Sequence, residues 1–455
     1  MNNVKHLLII VFVFIQIVGF AQIFKVEKYG AKADGKTNNT IAIQKAINLC
    51  SKNGGGQVEL SKGTYLSGTL ELKSNVSLYI AFGSTLKAIP DTSAFKRIKS
   101  SVVSRMDLVP WKAFIFADSQ ENIRICGGGT FDGSGGEPCF QNNITDSPER
   151  PYGLFLINCS NVIVESLNMI HSAFWMQRYF NCTGVRVSHL NVFNHSNKNN
   201  DAIDIDSSND VVVSDCIFDS SDDAITIKSE GNNPSKNIVI TNCIASSHAS
   251  AVKFGTASVG GFENIIISNI VIRRSKSKTM HHPHKVWGGL TGIDIASTDG
   301  GELRKILISN ITMEDVLNPI HLRLGNRLDG EKPKFKSILG KDSIKFVFED
   351  VTISNVIARN VGPMPVVVAG FEGHPVKRVT LKDITIHSGT AGTEKDNTTA
   401  PNWIATGYPG RYMYKTNLPA FGLISNFTED LKIENFRAFP TVGELRPMEI
   451  HLNRK

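Results

Sequence analysis

Runs in which apolar and polar residues alternate recur along most of the chain. One set is SNVIVESLNMIHS from Ser160, TGVRVSHLNVFNH from Thr183 and NDVVVSDCIFDSS from Asn209. KNIVITNCIASSH from Lys236 and ENIIISNIVIRRS from Glu263 continue it. An earlier copy, ENIRICGGGTFDG, starts at Glu121, and later ones read RKILISNITMEDV, IKFVFEDVTISNV, VKRVTLKDITIHS and EDLKIENFRAFPT. The middle copies return every 23 to 27 residues. Each holds two short β-branched strands with a period of two, parted by Asn, Asp, Ser or Gly. None contains a helix-length apolar pattern. One copy alone has nothing to bury its apolar face against, so successive copies must stack as coils at strand spacing, roughly 4.8 Å apart. The pattern predicts an all-β fold, a single-stranded right-handed parallel β-helix. A leucine-rich solenoid would need a recurrent Leu/Asn scaffold that is absent, and a propeller would need about four strands per repeat.

An open solenoid end needs a cover. NNTIAIQKAINLCSKNGGG supplies a short N-terminal capping helix, with Ile43, Ala46, Ile47 and Cys50 at helical spacing and Gly54 to Gly56 ending it. From Gly389 to Pro419 the repeat breaks into Pro, Gly, Trp403 and several Tyr, which suits a long loop or an end-closing excursion. Residues 1–21 read as a signal peptide, with one Lys, an apolar run from Leu7 to Val18 and Gly19-Phe20-Ala21 before the cut. That run is shorter than the roughly 20 residues of a membrane span. The expected organisation is therefore a signal peptide over 1–21 and one catalytic β-helix over 22–455, secreted or periplasmic, with no membrane span after cleavage. Oligomeric state is not legible.

The chain has 455 residues, 41% of them hydrophobic and 20% charged, which is a globular balance. Cleavage removes Lys5 alone among the charged residues, so the net charge falls from +7 to +6. That sign admits an anionic partner, and export favours an acidic polysaccharide over nucleic acid. Seven cysteines cannot all pair within one chain. Cys159 and Cys182 share one repeat context, and Cys216 and Cys243 share another. Stacked cysteines acting as small buried hydrophobes are one reading and a disulfide the other.

Candidate chemistry concentrates in two successive coils, NNDAIDIDSSND from Asn199 and DSSDDAITIKS from Asp219. Asp222 and Asp223 are adjacent at the mouth of a strand. Two charges about 5 Å apart repel by roughly 3 kcal/mol at an effective dielectric near 20, or about two pKa units. Asp201 precedes Asp222 by 21 residues, slightly less than a coil, so it should stack beside the pair. Three converging carboxylates suit acid/base work, because mutual repulsion splits their proton affinities. Asp and Asn also serve solenoid turns structurally, and the same carboxylates are a candidate Ca²⁺ site.

Those two stretches resemble the polygalacturonase group of β-helical hydrolases, glycoside hydrolase family 28, which carries Asn-x-Asp-Gly/Ala-x-Asp and then Asp-Asp one coil on. The likeness covers nearly all of the mature chain, including YGAKADGKTNNTIAIQKAI. It implies hydrolysis of an α-linked, acidic pectin- or rhamnogalacturonan-type glycan by single displacement with inversion. It implies no metal and no cofactor. Carried over, Asp222 is the general acid, and Asp201 and Asp223 hold and deprotonate water. Inverting sites usually part their two carboxyl groups by about 6.5–9.5 Å.

The pattern also departs from the family. SSHASAVKFGT puts Ser250 where the supporting His belongs, with His248 two residues earlier as its candidate replacement. Lys253 in the same strand adds a cation. Asp294 and Ala296 in GLTGIDIASTDGG fall where the family places a carboxylate-gripping Arg and Lys. NPIHLRLGNR one coil on offers His321, Arg323 and Arg327, of which Arg323 is a candidate substrate contact. Trp287, beside His281, His282 and His284, is a candidate sugar-stacking ring. Irregular stretches at Asp91–Trp111, Pro138–Tyr152, Lys276–Gly289 and Asn326–Asp342 would wall the groove and favour action on chain ends. A sulfated or otherwise modified glycan fits the altered positions too. A polysaccharide lyase and a non-catalytic binding solenoid remain the readings from other classes.

Overall fold

The computed structural model describes residues 22–106, 109, 111–141, 143–144, 146–278, 288–339, 344–398, 403–407, 414 and 417–454. Residues 1–21, Trp287 and the histidines beside it lie outside the described residues. The strands pair coil upon coil in parallel, as the repeat predicts. The face that carries the site runs through β1 (Ala113–Asp118), β2 (Tyr152–Ile157), β3 (Gln177–Phe180), β4 (Ile203–Asp206) and β5 (Ile225–Lys228). It continues through β6 (Ser250–Thr256), β7 (Gly289–Ser297), β8 (Val316–Leu324), β9 (Val366–Ala369) and β10 (Leu423–Glu429).

Alternation assigns the two sides of each strand. The inward ladder is Leu156, Tyr179, Ile205, Ile227, Phe254, Ile295, Leu322 and Val368, each in register with the next. A second ladder crosses the core from Val162 through Val185, Val211, Ile238, Ile265 and Ile306 to Val351. All of these side chains are buried. At about 25 cal/mol per Å² of apolar surface, every stacked Ile or Leu contributes roughly 2 kcal/mol before entropy is counted. The corners between strands need a left-handed residue, and Asn takes it repeatedly: Asn242, Asn269, Asn310 and Asn355 all have φ between 53° and 58°. Their side-chain amides hydrogen-bond up the stack at 3.0–3.2 Å.

The cap forms as predicted. Helix α1 (Thr40–Lys52) buries Ile43, Ala46, Ile47 and Cys50 over the first coils. All seven cysteines are free thiols. Cys159 and Cys182 stack on adjacent coils, as do Cys216 and Cys243, and six of the seven are buried. Among the described residues no helix is long and apolar enough to cross a membrane.

Beyond the last helix, Tyr414, Leu418 and Ala420 pack on the outward residues Val367 and Ala369 of β9 and on Leu317 of β8. At the other end, residues 98–106 and Trp111 lie over β2 and β3. There Ile98 and Trp111 cover Tyr152, Phe155, Phe174 and Phe180, with Trp111 stacked on Phe174 at 4.5 Å. Helix α2 (Pro333–Leu339) meets this loop, as Met106 packs with Ala257, Leu328, Phe335 and Leu339.

Candidate active site

Asp201 ends the turn that enters β4, and Asp222 and Asp223 end the turn that enters β5. Parallel stacking joins them: the Ala202 N–H donates to the Asp223 carbonyl at 3.1 Å. One carboxylate oxygen from each of the three lies within 4.8 Å of the others. This is tighter than the 6.5–9.5 Å expected of a two-carboxylate inverting site. The reason is the architecture: Asp222 and Asp223 share a turn, and Asp201 is one coil away at strand spacing. Asp201 and Asp223 are buried, whereas Asp222 is partly exposed.

Two lysines stand behind the cluster. Lys228, at the end of β5, approaches Asp201 at 3.4 Å and donates to Asp204 at 2.7 Å. Its Nζ also lies 4.3 Å from the Trp175 ring. Lys253 in β6 donates to Asp294 at 2.9 Å and lies 3.9 Å from Asp223. Burial pushes the Asp201 carboxyl well up, Asp204 and Asp222 add to this, and Lys228 opposes it. Burial likewise raises Asp223, against the pull of Lys253. Asp204 is pushed up to about 7 by burial, with Lys228 again opposing. Burial thus raises the proton affinity of Asp201, Asp204 and Asp223, while each of these buried acids keeps a cation beside it.

Backbone register also accounts for the neighbouring chain of charges. Lys253, Asp294 and His321 occupy one outward row, in register across β6, β7 and β8. Asp294 accepts from Lys253, pairs with His321 Nδ1 at 2.9 Å, and His321 Nε2 reaches the Tyr414 hydroxyl at 3.0 Å. Burial tends to raise the Asp294 carboxyl, but Lys253 and His321 together hold it well below the usual carboxylate range. All three side chains are buried. Lys253 and Asp294, read from sequence as substrate contacts, therefore form an internal pair behind Asp223. Arg323 is wholly buried. It donates to the Gly370 carbonyl at 2.8 Å and lies 3.4 Å from that of Trp403, so it braces the 403–407 segment instead of facing a ligand. His248 precedes β6, is buried, and packs edge-on against His195 at 4.9 Å. Ser250, at the position expected for a His, supports the site through its backbone: its N–H donates to Asp223 Oδ1 at 3.0 Å.

The carboxylates open into a cavity of about 300 Å³, also lined by Trp175, Lys228, Arg327 and Lys332. Sequence reasoning did not single out Trp175, Lys228, Asp204 or Lys332. Asp204 and Lys228 carried a usable signal, because polar residues at outward positions of β4 and β5 must face the same surface as the Asp cluster. Lys332 carried none, since it lies in a stretch without a repeat.

A parallel β-helix with carboxylates converging from adjacent coils defines the class of carbohydrate-processing solenoids. Residues 50–405 match the glycosyl hydrolases family 28, and the chain belongs to that family. It is 31% identical over 224 residues to Polygalacturonase-2 of Solanum lycopersicum, a match covering 47% of this chain and 46% of that protein. The chain thus spans about half the length of that curated relative. The fold is similar to that of an exopolygalacturonase from Thermotoga maritima, at TM-score 0.65 and 23% identity over 81% of this chain and 87% of that one. It is also similar to a family 28 exopolygalacturonase of Yersinia enterocolitica, at TM-score 0.68 and 19% identity over 96% and 78%.

Proposed function

We propose that the protein is an exported hydrolase that removes sugar units from the ends of an acidic, pectin-type glycan. In this reading Asp222, the partly exposed member of the cluster, protonates the departing glycosidic oxygen. Asp201 and Asp223 grip one water between them and take its proton, and the water attacks the anomeric carbon in a single displacement with inversion. The observation that carries the reading is the convergence of the three carboxylates on one point. The lysines beside Asp201 and Asp223 oppose the rise that burial gives those two carboxyls, which favours their proton-accepting form.

Action at chain ends is supported by the walls. Ile98, Val102 and Trp111 cover the outward face of β2 and β3, where Phe155, Arg178 and Phe180 are buried. Trp403, Tyr414, Leu418 and Ala420 cover that of β8 and β9. A groove filled on both sides of the catalytic coil leaves a pocket for one end of a chain.

The test is a screen of pectic, rhamnogalacturonan and sulfated algal glycans with wild type and Asp222→Asn side by side. Wild type should release small saturated sugars, with initial product of inverted configuration by NMR, and Asp222→Asn should be slower by about 100- to 10,000-fold. Unsaturated, ultraviolet-absorbing products would identify a lyase. Equal release by both proteins would overturn the assignment, and random mid-chain cuts would overturn the chain-end mode alone.

A further inference from the structure

The cavity over the three carboxylates is lined by cations as well as acids. Three cations line it, and the bonds of two are spoken for by acids of the protein. Lys228 is held by Asp204 and Asp201. Arg327 pairs with Asp299, its Nε donating at 2.8 Å. Lys332 differs: among the described residues it makes no ion pair, it is only partly buried, its Nζ lies 5.9 Å from the Phe335 ring, and it lines the same cavity as the carboxylates.

Its position is fixed from several sides. Lys332 lies between the Arg327–Asp329 turn and α2, and its N–H donates to the Arg327 carbonyl at 2.8 Å. The turn is tied to the far wall by Asn326 and Glu331, whose N–H groups donate to the Ala405 and Thr406 carbonyls at 2.7 and 3.2 Å. Phe335 and Leu339 of α2 anchor it to Met106 and Ala257. A built wall thus carries this ammonium to a small cavity whose other two cations are already paired.

We propose that Lys332 is the specificity-determining cation of this site, binding the anionic substituent of the sugar seated over Asp201, Asp222 and Asp223. The inference rests on the hydrolase reading for its substrate class. The group it binds is a carboxylate of a uronic acid or a sulfate ester, both of which an ammonium recognises as a point charge.

The experiment compares Lys332→Met and Lys332→Arg with wild type on short oligogalacturonides, their methyl esters and a sulfated oligosaccharide. A hydrogen bond to a charged group contributes about 1.5–3 kcal/mol, so Lys332→Met should lower kcat/KM by roughly 10- to 150-fold on the anionic substrate. The loss should fall mainly in KM, and the methyl ester should change less than about twofold. Lys332→Arg should retain most of the activity. A selective loss on the oligogalacturonide assigns a carboxylate, and one on the sulfated sugar assigns a sulfate ester. Equal losses on charged and neutral substrates, or none, overturn the proposal while leaving the hydrolase reading intact. Calorimetric binding of the same sugars to Asp222→Asn, with and without Lys332→Met, reads the cation without turnover. It therefore decides the role of Lys332 even if no glycan is cleaved.

Discussion

Replacing Lys228 by Met removes the cation that opposes the upward push of burial on the Asp201 carboxyl. At the observed 3.4 Å the pair attracts by about 5 kcal/mol at an effective dielectric of 20, equal to roughly 3.5 pH units in proton affinity. Side-chain relaxation and entering water should screen part of this, leaving a change of about 2 pH units. The sign follows from the charge. A neighbouring cation favours the carboxylate, so its loss makes Asp201 harder to deprotonate. The acidic limb of the kcat/KM profile should move to higher pH by about 2 units, with activity lost near pH 5 and largely recovered near pH 8. Lys228→Arg should leave the limb near its wild-type position. The assay is hydrolysis of the preferred glycan across pH 4–9, with circular dichroism establishing that each variant is folded at each pH. A folded Lys228→Met protein with an unmoved limb, or one displaced to lower pH, would refute the argument that this pair sets the base.

Other expectations follow from the same coordinates. Asp294→Asn should destabilise the fold by about 3–5 kcal/mol at pH 7, because it leaves Lys253 buried without its main partner. Since Asp294 is held well below its unfolded value near 3.9, that contribution is complete above this pH and is lost only as pH falls from there down through the folded value, so the gap between the urea midpoints of wild type and variant should narrow steadily below pH 4. Chelators should leave activity unchanged, because Lys228 and Lys253 already neutralise two of the three carboxylates; activity that vanishes in EDTA and returns with Ca²⁺ would contradict this. Replacing residues 100–106 with a short Gly-Ser linker should open the groove beside β3 and shift products from single units toward mixed oligomers by chromatography.

The repeat, the capping helix and the stacking of Asp201 on Asp222 and Asp223 were all legible in the sequence. Each depends on a strict period: two within a strand, 3.6 in α1, one coil between rungs. Roles that depend on what covers an outward residue were not legible. Arg323 has the alternation of a cleft residue, yet Trp403 and its neighbours, some 80 positions later, roof it over. Lys253 and Asp294 could be placed in one row but not paired, because whether two polar side chains meet substrate or each other depends on the depth of the walls. Those walls are built from stretches without a repeat, where the pattern falls silent.

The pairing of Lys253 with Asp294 constrains how such a protein can change its substrate. The two positions are direct neighbours on adjacent rungs, 2.9 Å apart through their side chains, with His321 on the next rung. Restoring an arginine at 294 alone would set two cations against each other in a buried row and strand His321 between them. Replacing Lys253 alone would leave a buried anion beside Asp223. Neither single step is tolerable, so the row can be rewritten only as a unit. A lineage that had made the exchange would find the way back closed to one mutation at a time, whereas Lys332, on an irregular segment outside the rungs, stays free to vary singly.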